Sequence, residues 1–330
     1  MGCVSHAVLL APYECVRVAQ YARLQECGVV QMIKRTKIIA IANQKGGVGK
    51  TTTVVNLAAA LARRNRTVLV VDLDPQANAT GGLGLEKEDG VSIYPVLLGS
   101  AEIADVIQPT AYDNLNIIPS EVDLAGAEIE IARREDHLSV IRDALAPVRE
   151  SGVFDYILLD CPPSLGIVMT SSLAAADGVL VPMQAEFLAM EGLGLITNLL
   201  EQLRAGANPN LELNGILLTM VNMVATQTKD VIAMVKEKFG DRVYETTIPR
   251  NVRTSEAPSY GQPVIHYDPT CKGAVAYRAF AKEFIARTPT RFDDETMPAE
   301  TAPEVAENLS ATADADMRSQ EAVNSHDQVS

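Results

Sequence analysis

The sequence has no tryptophan, and aromatic residues make up only 5% of its 330 residues. Because 47% of the chain is nevertheless hydrophobic, aliphatic side chains must fill the core. This composition is typical of an α/β domain, whose parallel strands are buried on both faces. The sequence also lacks any apolar run close to the ~18 residues that a membrane-spanning helix needs, so we expect a soluble protein without a membrane partner.

Cysteine is scarce as well. Three of the five cysteines, Cys3, Cys15 and Cys27, lie at intervals of twelve residues near the start of the chain. This spacing matches no CxxC metal-binding pattern, and the later Cys161 and Cys271 have no neighbouring cysteines with which to hold an iron–sulfur cluster. We therefore expect no metal or cluster bound by cysteine.

A basic targeting region is missing from the N-terminus, and the first residues, MGCVSH, fit a myristoylation signal only loosely. A second methionine, Met32, precedes the first strand pattern, KIIAIAN, by five residues. We interpret residues 1–31 as an N-terminal extension, either disordered or a small appended helix, or as the result of an upstream start. We favour Met32 as the true start.

Acidic residues are concentrated at the other end. From Pro289 onward the chain has ten acidic residues and two arginines, so this segment accounts for −8 of the net charge of −14. The segment has no sustained apolar period and is rich in Ala, Ser and Thr, a composition typical of disorder. We predict one ordered domain over 32–288 and an acidic, disordered tail over 289–330. The domain itself is only mildly acidic, which leaves room for a local basic surface.

Within the domain, segments typical of strands alternate with segments typical of helices. A strand pattern at 37–43 is followed by a helical segment at 50–64 and a strand pattern at 67–74. This βαβ order predicts an α/β fold in three layers, with a mostly parallel twisted sheet flanked by helices. Further strands are predicted at 114–120, 154–160, 178–183 and 214–221, and further helices at 138–149, 166–176, 192–204, 228–239 and 273–286.

A glycine-rich loop, NQKGGVGKTT, occupies the first turn of this βαβ unit. Backbone N–H groups in such a loop point at a phosphate chain, and the N-terminus of the following helix adds its dipole. Lys50 and Thr51 are the residue types that neutralise the β and γ phosphates and coordinate magnesium, and Thr52 can donate to the α phosphate. The pattern predicts a P-loop NTPase. The residues expected to bind the nucleotide phosphates are Gly46, Gly47, Val48, Gly49, Lys50, Thr51 and Thr52.

The loop departs from the general GxxxxGK[ST] pattern at its first position. Aligned on Gly49, Lys50 and Thr51, the pattern requires a glycine where this chain has Gln44. A second lysine, Lys45, follows directly. Since a phosphate loop needs only one lysine, Lys45 requires a separate explanation.

Three acidic residues stand at predicted strand ends, where ligands of open α/β sheets bind. Asp160 ends the apolar run of FDYILLD, as a magnesium-supporting carboxylate does beside a phosphate loop; alternatively, it is a plain strand cap. The spacing of Asp72 and Asp74 places both on one face of the second strand. One of these two carboxylates can hold the loop or the metal while the other orients the attacking water.

Several segments resemble, in order and spacing, the ParA/Soj family of chromosome and plasmid partitioning ATPases, which belong to the deviant Walker A, SIMIBI-type group of P-loop NTPases. The segments are KGGVGKTT, VDLDPQANAT, LAGAEIE, DYILLDCPPSLG, IPRNVRTSEAPSYGQPVIHYDP and AYRAFAKEF, within residues 32–287. The resemblance implies a magnesium-dependent ATPase that converts ATP and water to ADP and phosphate. It also implies ATP and Mg²⁺ as cofactors and an ATP-dependent homodimer.

The resemblance explains the second lysine. In this group the lysine at the position of Lys45 reaches across an ATP-bound dimer to the nucleotide of the other subunit, as an arginine finger supplied in trans does. Asp74 would position or activate the hydrolytic water, and Asp160 would support magnesium through a water molecule. The implied catalytic residues are Lys45, Lys50 and Asp74, and the implied metal site is Thr51 and Asp160.

An adenine pocket and a DNA-binding surface are implied in the same way. Family members often have a basic residue in the loop after LLTMV, but here the loop has Val224 and no basic residue before Lys229. Each basic residue that remains nearby in sequence is equally well read as an ordinary surface charge. The residues implied for adenine are Asn222, Pro249, Arg250 and Asn251, and those for non-specific double-stranded DNA are Arg250, Arg253, Lys272, Arg278 and Lys282.

The implied function is that of a cytoplasmic, nucleoid-associated partition ATPase. Its ATP-bound dimer would bind DNA, and a ParB-type centromere-binding protein would stimulate hydrolysis and reset it. Two alternatives stay open: an ATP-switched DNA-binding regulator, and a protein-cluster positioning ATPase similar to MinD. A membrane-recruited protein of the MinD type ends in a basic amphipathic helix, whereas this chain ends in an acidic segment.

Overall fold

The computed structural model describes residues 36–186, 189–222 and 224–290. These residues lie in one compact unit built on a seven-stranded sheet with the order β3-β4-β2-β5-β1-β6-β7. Neighbouring strands are parallel except for β3, which pairs antiparallel with β4. The strands are β1 (Lys37–Ile41), β2 (Val68–Asp72), β3 (Gln108–Pro109), β4 (Leu115–Ile118), β5 (Tyr156–Asp160), β6 (Gly178–Gln184) and β7 (Glu212–Thr219).

Helices cover both faces of this sheet. They are α1 (Lys50–Ala62), α2 (Asn78–Gly82), α3 (Ile93–Leu97), α4 (Leu124–Ala132), α5 (Val140–Ser151), α6 (Ile167–Ala175), α7 (Ala189–Arg204), α8 (Thr226–Phe239), α9 (Val252–Glu256), α10 (Val264–Tyr267) and α11 (Lys272–Arg287). Among the described residues, no helix combines the length and the apolar character that crossing a membrane requires.

The sheet separates two hydrophobic cores. Alternate residues of β1 point to opposite faces, so Ile38 and Ala40 join the core under α3 to α8, whereas Ile39 and Ile41 join the core under α1, α10 and α11. Because both faces are covered, the strands are apolar almost throughout. The predicted three-layer P-loop NTPase fold with a mostly parallel sheet is confirmed.

Helix α1 is buried on nearly all sides, because it lies between the sheet and α11. Its sequence, KTTTVVNLAAALA, suits this position, since small alanine side chains let the helix approach both neighbours closely. Tyr277 of α11 reaches α1 through its hydroxyl, which lies 3.4 Å from that of Thr53. The helix that follows the glycine loop is therefore held rigidly in the core.

Each predicted strand and helix of the domain is present, with boundaries shifted by a few residues. The prediction that Asp72 and Asp74 share a strand face is wrong, because β2 ends at Asp72. The chain turns there, and the backbone N–H of Asp74 donates to Asp72 Oδ1 at 3.2 Å. The predicted extension, 1–31, lies outside the described residues, as does the predicted tail, 289–330, except for its first two residues. Of these two, Thr290 is buried.

Candidate nucleotide-binding site

The glycine loop joins β1 to α1 and has open space beside its backbone. Gly47 and Gly49 have φ values of 73° and 86°, in the left-handed region that glycine adopts without strain. A Cβ atom added at Gly46 or Gly47 would meet nothing within 4 Å. The loop thus leaves room for a ligand to approach its backbone N–H groups.

Side chains of β6 and β7 hold the loop through its carbonyl groups. The Thr219 hydroxyl donates to the Val48 carbonyl at 2.8 Å, and the Gln184 side-chain amide donates to the Gly47 carbonyl at 3.1 Å. These bonds use carbonyl groups of the loop and leave its N–H groups available for other partners. The sequence motifs did not identify either side chain as part of the site.

Lys50 opens α1 and is only 7% exposed. Burial lowers the pKa of its ammonium group, while the negative charges of Asp160 and Asp74 act in the opposite direction. The ammonium therefore lies among acidic groups and with little water around it. In such surroundings an added phosphate group interacts with the charge more strongly than it does in bulk water.

Asp160 ends β5, where the sheet register pairs it with Ile41 of β1 and Asp72 of β2. The residue is fully buried, and neither carboxylate oxygen has a hydrogen-bond partner among the described residues. Burial raises the pKa of Asp160 well above its usual value and the charge of Asp72 adds to this, whereas the nearby Thr51 hydroxyl lowers it. Leaving a buried polar group unpartnered costs about 1–3 kcal/mol. The Asp160 carboxylate is thus placed to receive a cation or a donor.

Asp72 and Asp74 have different surroundings. The fully buried Asp72 carboxylate accepts from the backbone N–H and the hydroxyl of Thr80, both at 2.8 Å. Burial raises the pKa of Asp72 to about 6, and the Thr80 hydrogen bonds oppose this. Asp74 lies beyond the strand, is partly exposed, and accepts from the backbone N–H of Gln76 at 2.9 Å. Asp72 therefore anchors the segment from 74 to 80, and Asp74 is the carboxylate open to solvent.

Two residues at this edge of the sheet have strained backbones. Ala77 has a φ of 52° and Met220 a φ of 50°, and a left-handed conformation costs about 1–2 kcal/mol for residues with a Cβ atom. Ala77 lies in the segment anchored by Asp72. Met220 directly follows β7, and its terminal methyl group would be 3.9 Å from a Cβ atom added at Gly49. Strain of this kind concentrates at functional sites.

Lys45 lies on the exposed side of the loop. Its Nζ atom is 3.0 Å from a carboxylate oxygen of Glu186, which follows β6, and the two side chains are 38% and 53% exposed. An exposed ion pair of this kind contributes less than about 1 kcal/mol. Lys45 is therefore held only weakly and can exchange Glu186 for another anionic partner.

The segments predicted to contact adenine come together beside β7. Val221 and Pro249 form a parallel bridge, and the Arg250 N–H donates to the Val221 carbonyl at 3.3 Å. Asn222 is exposed at this bridge. The Asn251 side chain caps α9 by accepting a backbone N–H of its first turn at 3.2 Å, so that its Oδ1 atom is already occupied.

The basic residues predicted for DNA differ in their availability. Arg253 pairs with Glu256 at 2.9 Å and with Asp268 at 3.6 Å, whereas Arg250, Lys272 and Lys282 are exposed. Arg253 is thus partly neutralised by neighbouring carboxylates. This weakens its case as a phosphate contact.

Two arginines that the sequence motifs missed lie at the end of α1, which packs on α11. Arg63 and Arg64 directly follow α1, both are exposed, and the Arg64 guanidinium donates to the Arg278 carbonyl at 3.2 Å. Arg278 and Lys282 are one helical turn apart on α11, which packs on α1. We call Arg63, Arg64, Arg278 and Lys282 the α11 basic face.

The β1–loop–α1 unit, the buried lysine and the acidic residue at the end of β5 define a nucleotide-binding domain of the P-loop NTPase class. A family model described as an AAA domain matches residues 36–213. The chromosome partitioning protein ParA of Caulobacter vibrioides (strain NA1000 / CB15N) is 45% identical over 252 residues, which cover 76% of this chain and 94% of that protein. The chain belongs to the ParA/Soj family of chromosome partitioning ATPases, which confirms the resemblance.

Other relatives support the same placement. The sporulation initiation inhibitor protein Soj of Bacillus subtilis (strain 168) is 48% identical over 251 residues, covering 76% of this chain and 98% of that protein. Among solved structures, cobyrinic acid a,c-diamide synthase from Mycobacterium smegmatis with bound ATP analogue and magnesium matches with a TM-score of 0.65 and 38% identity. This match covers 75% of this chain and 93% of that one.

Proposed function

We propose that this protein is a partition ATPase that binds ATP with magnesium, dimerises in that state, binds DNA non-specifically as the dimer, and is reset by hydrolysis. The observation that carries the proposal is the unpartnered, buried carboxylate of Asp160, which lies close to Lys50 at the open glycine loop. The relative whose solved structure holds an ATP analogue and magnesium supports the choice of ligand.

The residues present fit a magnesium ion. Thr51 and Asp160 offer a hydroxyl and a carboxylate, which are the oxygen ligands that magnesium takes beside phosphates, directly or through water. The two Asp160 oxygens have no partner among the described residues that such an ion or its waters would have to displace. When bound, the ion supplies positive charge to the phosphate oxygens.

The other residues of the site have different roles in ATP hydrolysis. Lys50 and the loop N–H groups hold the phosphates of the subunit's own ATP, and Asp74 orients the attacking water. Lys45 leaves Glu186 when two subunits meet and contacts the nucleotide of the second subunit, where it stabilises the negative charge that develops in the transition state. Asn222 and the backbone of residues 249–251 contact adenine.

DNA binding requires the charges of two subunits together. The chain as a whole has a net charge of −14, and the basic residues from Arg250 to Lys282 are few in each subunit. Two linked surfaces bind one polymer far more tightly than either does alone, and phosphate contacts weaken steeply with salt. The ATP-bound dimer is therefore the DNA-binding state on the nucleoid, and a ParB-type partner triggers its release by stimulating hydrolysis.

The proposal is tested with the purified full chain. ATP hydrolysis is measured with and without DNA and with and without a ParB-type protein, and DNA retention is measured on filters at two salt concentrations with ATP and with ADP. We expect DNA retention with ATP only, a strong loss at the higher salt concentration, and faster hydrolysis when both DNA and the partner are present. Equal DNA retention with ATP and ADP would overturn the dimer switch.

A further inference from the structure

The exposed side of α11 is basic in an otherwise acidic chain. Helix α11 contains one acidic residue, Glu283, which is 19% exposed and pairs with Arg287 at 2.6 Å. Within this helix, therefore, no unpaired carboxylate accompanies Arg278 and Lys282. The helix presents a local positive surface.

Arg63 and Arg64 extend this surface beyond α11. Arg64 touches Arg278 through the hydrogen bond described above, and the charge of Arg63 lowers the pKa of His266 on the adjacent α10, after the larger effect of burial. None of the four cations of the α11 basic face forms an ion pair with a carboxylate within the described ranges 36–186, 189–222 and 224–290. Four positive charges are thus gathered there without local neutralisation.

The most acidic part of the sequence follows this helix directly. Helix α11 ends at Arg287, and residues 291–330 contain ten acidic residues and two arginines. Arg278 lies nine residues before the end of the helix, which is about 14 Å at the rise of an α-helix. Since an extended chain spans up to ~3.5 Å per residue, this segment is long enough to reach every residue of the α11 basic face.

We propose that residues 291–330 dock on the α11 basic face of their own chain and compete there with DNA. The attachment to α11 gives the segment an effective concentration on the order of millimolar, although each exposed charge pair is weak. DNA has one negative charge per ~1.7 Å of helix axis, a higher charge density than this segment, so DNA displaces the segment when two subunits bind together. Single subunits stay off DNA. The docking is argued only from the charges of residues 291–330 and of the α11 basic face. The competition with DNA rests on the proposed function.

Docking is tested by NMR on the ¹⁵N-labelled full chain without DNA. We expect the amide signals of residues 291–330 to differ between the wild type and the variant Arg63→Gln/Arg64→Gln at low salt. The two spectra should become alike at about 1 M salt, where the Debye length falls to about 3 Å. A matched control is Arg133→Gln/Arg142→Gln, which removes two exposed arginines from the other helical layer and should leave these signals as in the wild type. Identical signals in the wild type and the Arg63→Gln/Arg64→Gln variant at low salt would overturn the docking.

Competition is tested with a second full-length variant, in which the ten acidic residues of 291–330 are replaced by Asn and Gln. Its affinity for DNA should rise by about tenfold at low salt in both nucleotide states, with a smaller gain at high salt. An affinity equal to that of the wild type would overturn the competition. If no form of the protein bound DNA, the proposed function and the competition would both fall, while the NMR result would still decide the docking.

Discussion

The glycine loop has a buried end and an exposed end, and each contains one lysine. Lys50 is 7% exposed and lies among acidic groups. Lys45 is five residues earlier, has a side chain that is 38% exposed, and pairs with the more exposed Glu186. The two lysines occupy one loop of one sequence motif, yet their physical surroundings are opposite.

The difference indicates what each lysine can do. A buried ammonium group cannot move away without leaving the neighbouring buried carboxylates uncompensated. Lys50 therefore has the properties required of a residue that holds a ligand of its own subunit. An exposed lysine in a weak ion pair exchanges partners easily, because water and dissolved ions interact with its ammonium group once the ion pair is broken. Lys45 therefore has the properties required of a residue that acts on a second subunit.

The largest expected effect comes from removing the exposed lysine. In Lys45→Ala, ATP hydrolysis should fall by about 10³ or more, the magnitude of a charge supplied in trans, while ATP binding by single subunits persists. Lys50→Ala should instead weaken ATP binding itself. Isothermal titration calorimetry with ATP and steady-state hydrolysis assays distinguish the two variants. The control is Lys238→Ala, which replaces an exposed lysine at the end of α8. Weak ATP binding by Lys45→Ala would remove the distinction between the two ends of the loop.

Asp74 should have the next largest effect. Asp74→Ala should retain ATP and magnesium binding while hydrolysis falls by about 10², because a water-orienting carboxylate acts mainly in the transition state. The ATP-bound dimer should accumulate, which size-exclusion chromatography with ATP detects. Retained turnover would transfer the role to Asp72 or to the segment around Asp160.

A smaller effect, on stability, is expected at the buried end of the site. Asp160→Asn replaces a buried charge that has no hydrogen-bond partner among the described residues with a neutral amide, so the nucleotide-free protein should gain about 1 kcal/mol and a melting temperature about 2–4 °C higher. The variant should not show the additional stabilisation that ATP with magnesium gives to the wild type. Thermal melts with and without the ligand measure both changes. A less stable nucleotide-free variant would show that Asp160 has a structural partner.

The smallest effect is expected from releasing Lys45. Glu186→Gln removes an exposed ion pair worth about 0.2–1 kcal/mol in each subunit, so ATP-dependent dimerisation, which breaks two such pairs, should become about 2- to 30-fold tighter. Analytical ultracentrifugation at low salt is the measurement, and the difference should vanish at high salt. The control is Glu245→Gln, which removes the exposed pair between Glu245 and Lys236. A dimer weakened by Glu186→Gln would mean that Glu186 supports the dimer instead of competing with it.

The sequence alone was sufficient for the parts of this protein that depend on local pattern. The strand before the loop, the loop and α1 are contiguous, and the apolar run before Asp160 marks the end of β5 without reference to any other segment. These features require only the pleat of a buried strand, the freedom of glycine and the start of a helix. The fold class and the position of the glycine loop between β1 and α1 were therefore predictable.

Only the tertiary structure decided which side chains work together, because the partners are far apart in the chain. Lys45 and Glu186 are 141 positions apart, and Val48 and Thr219 are 171 apart. The spacing of Asp72 and Asp74 suggested one shared face, but the turn after β2 and the hydrogen bonds to Thr80 separated a buried anchor from an exposed carboxylate. Arg64 met Arg278 only because α1 and α11 pack side by side. Burial and long-range pairing follow from how the chain closes on itself, and no local spacing of residues contains that information.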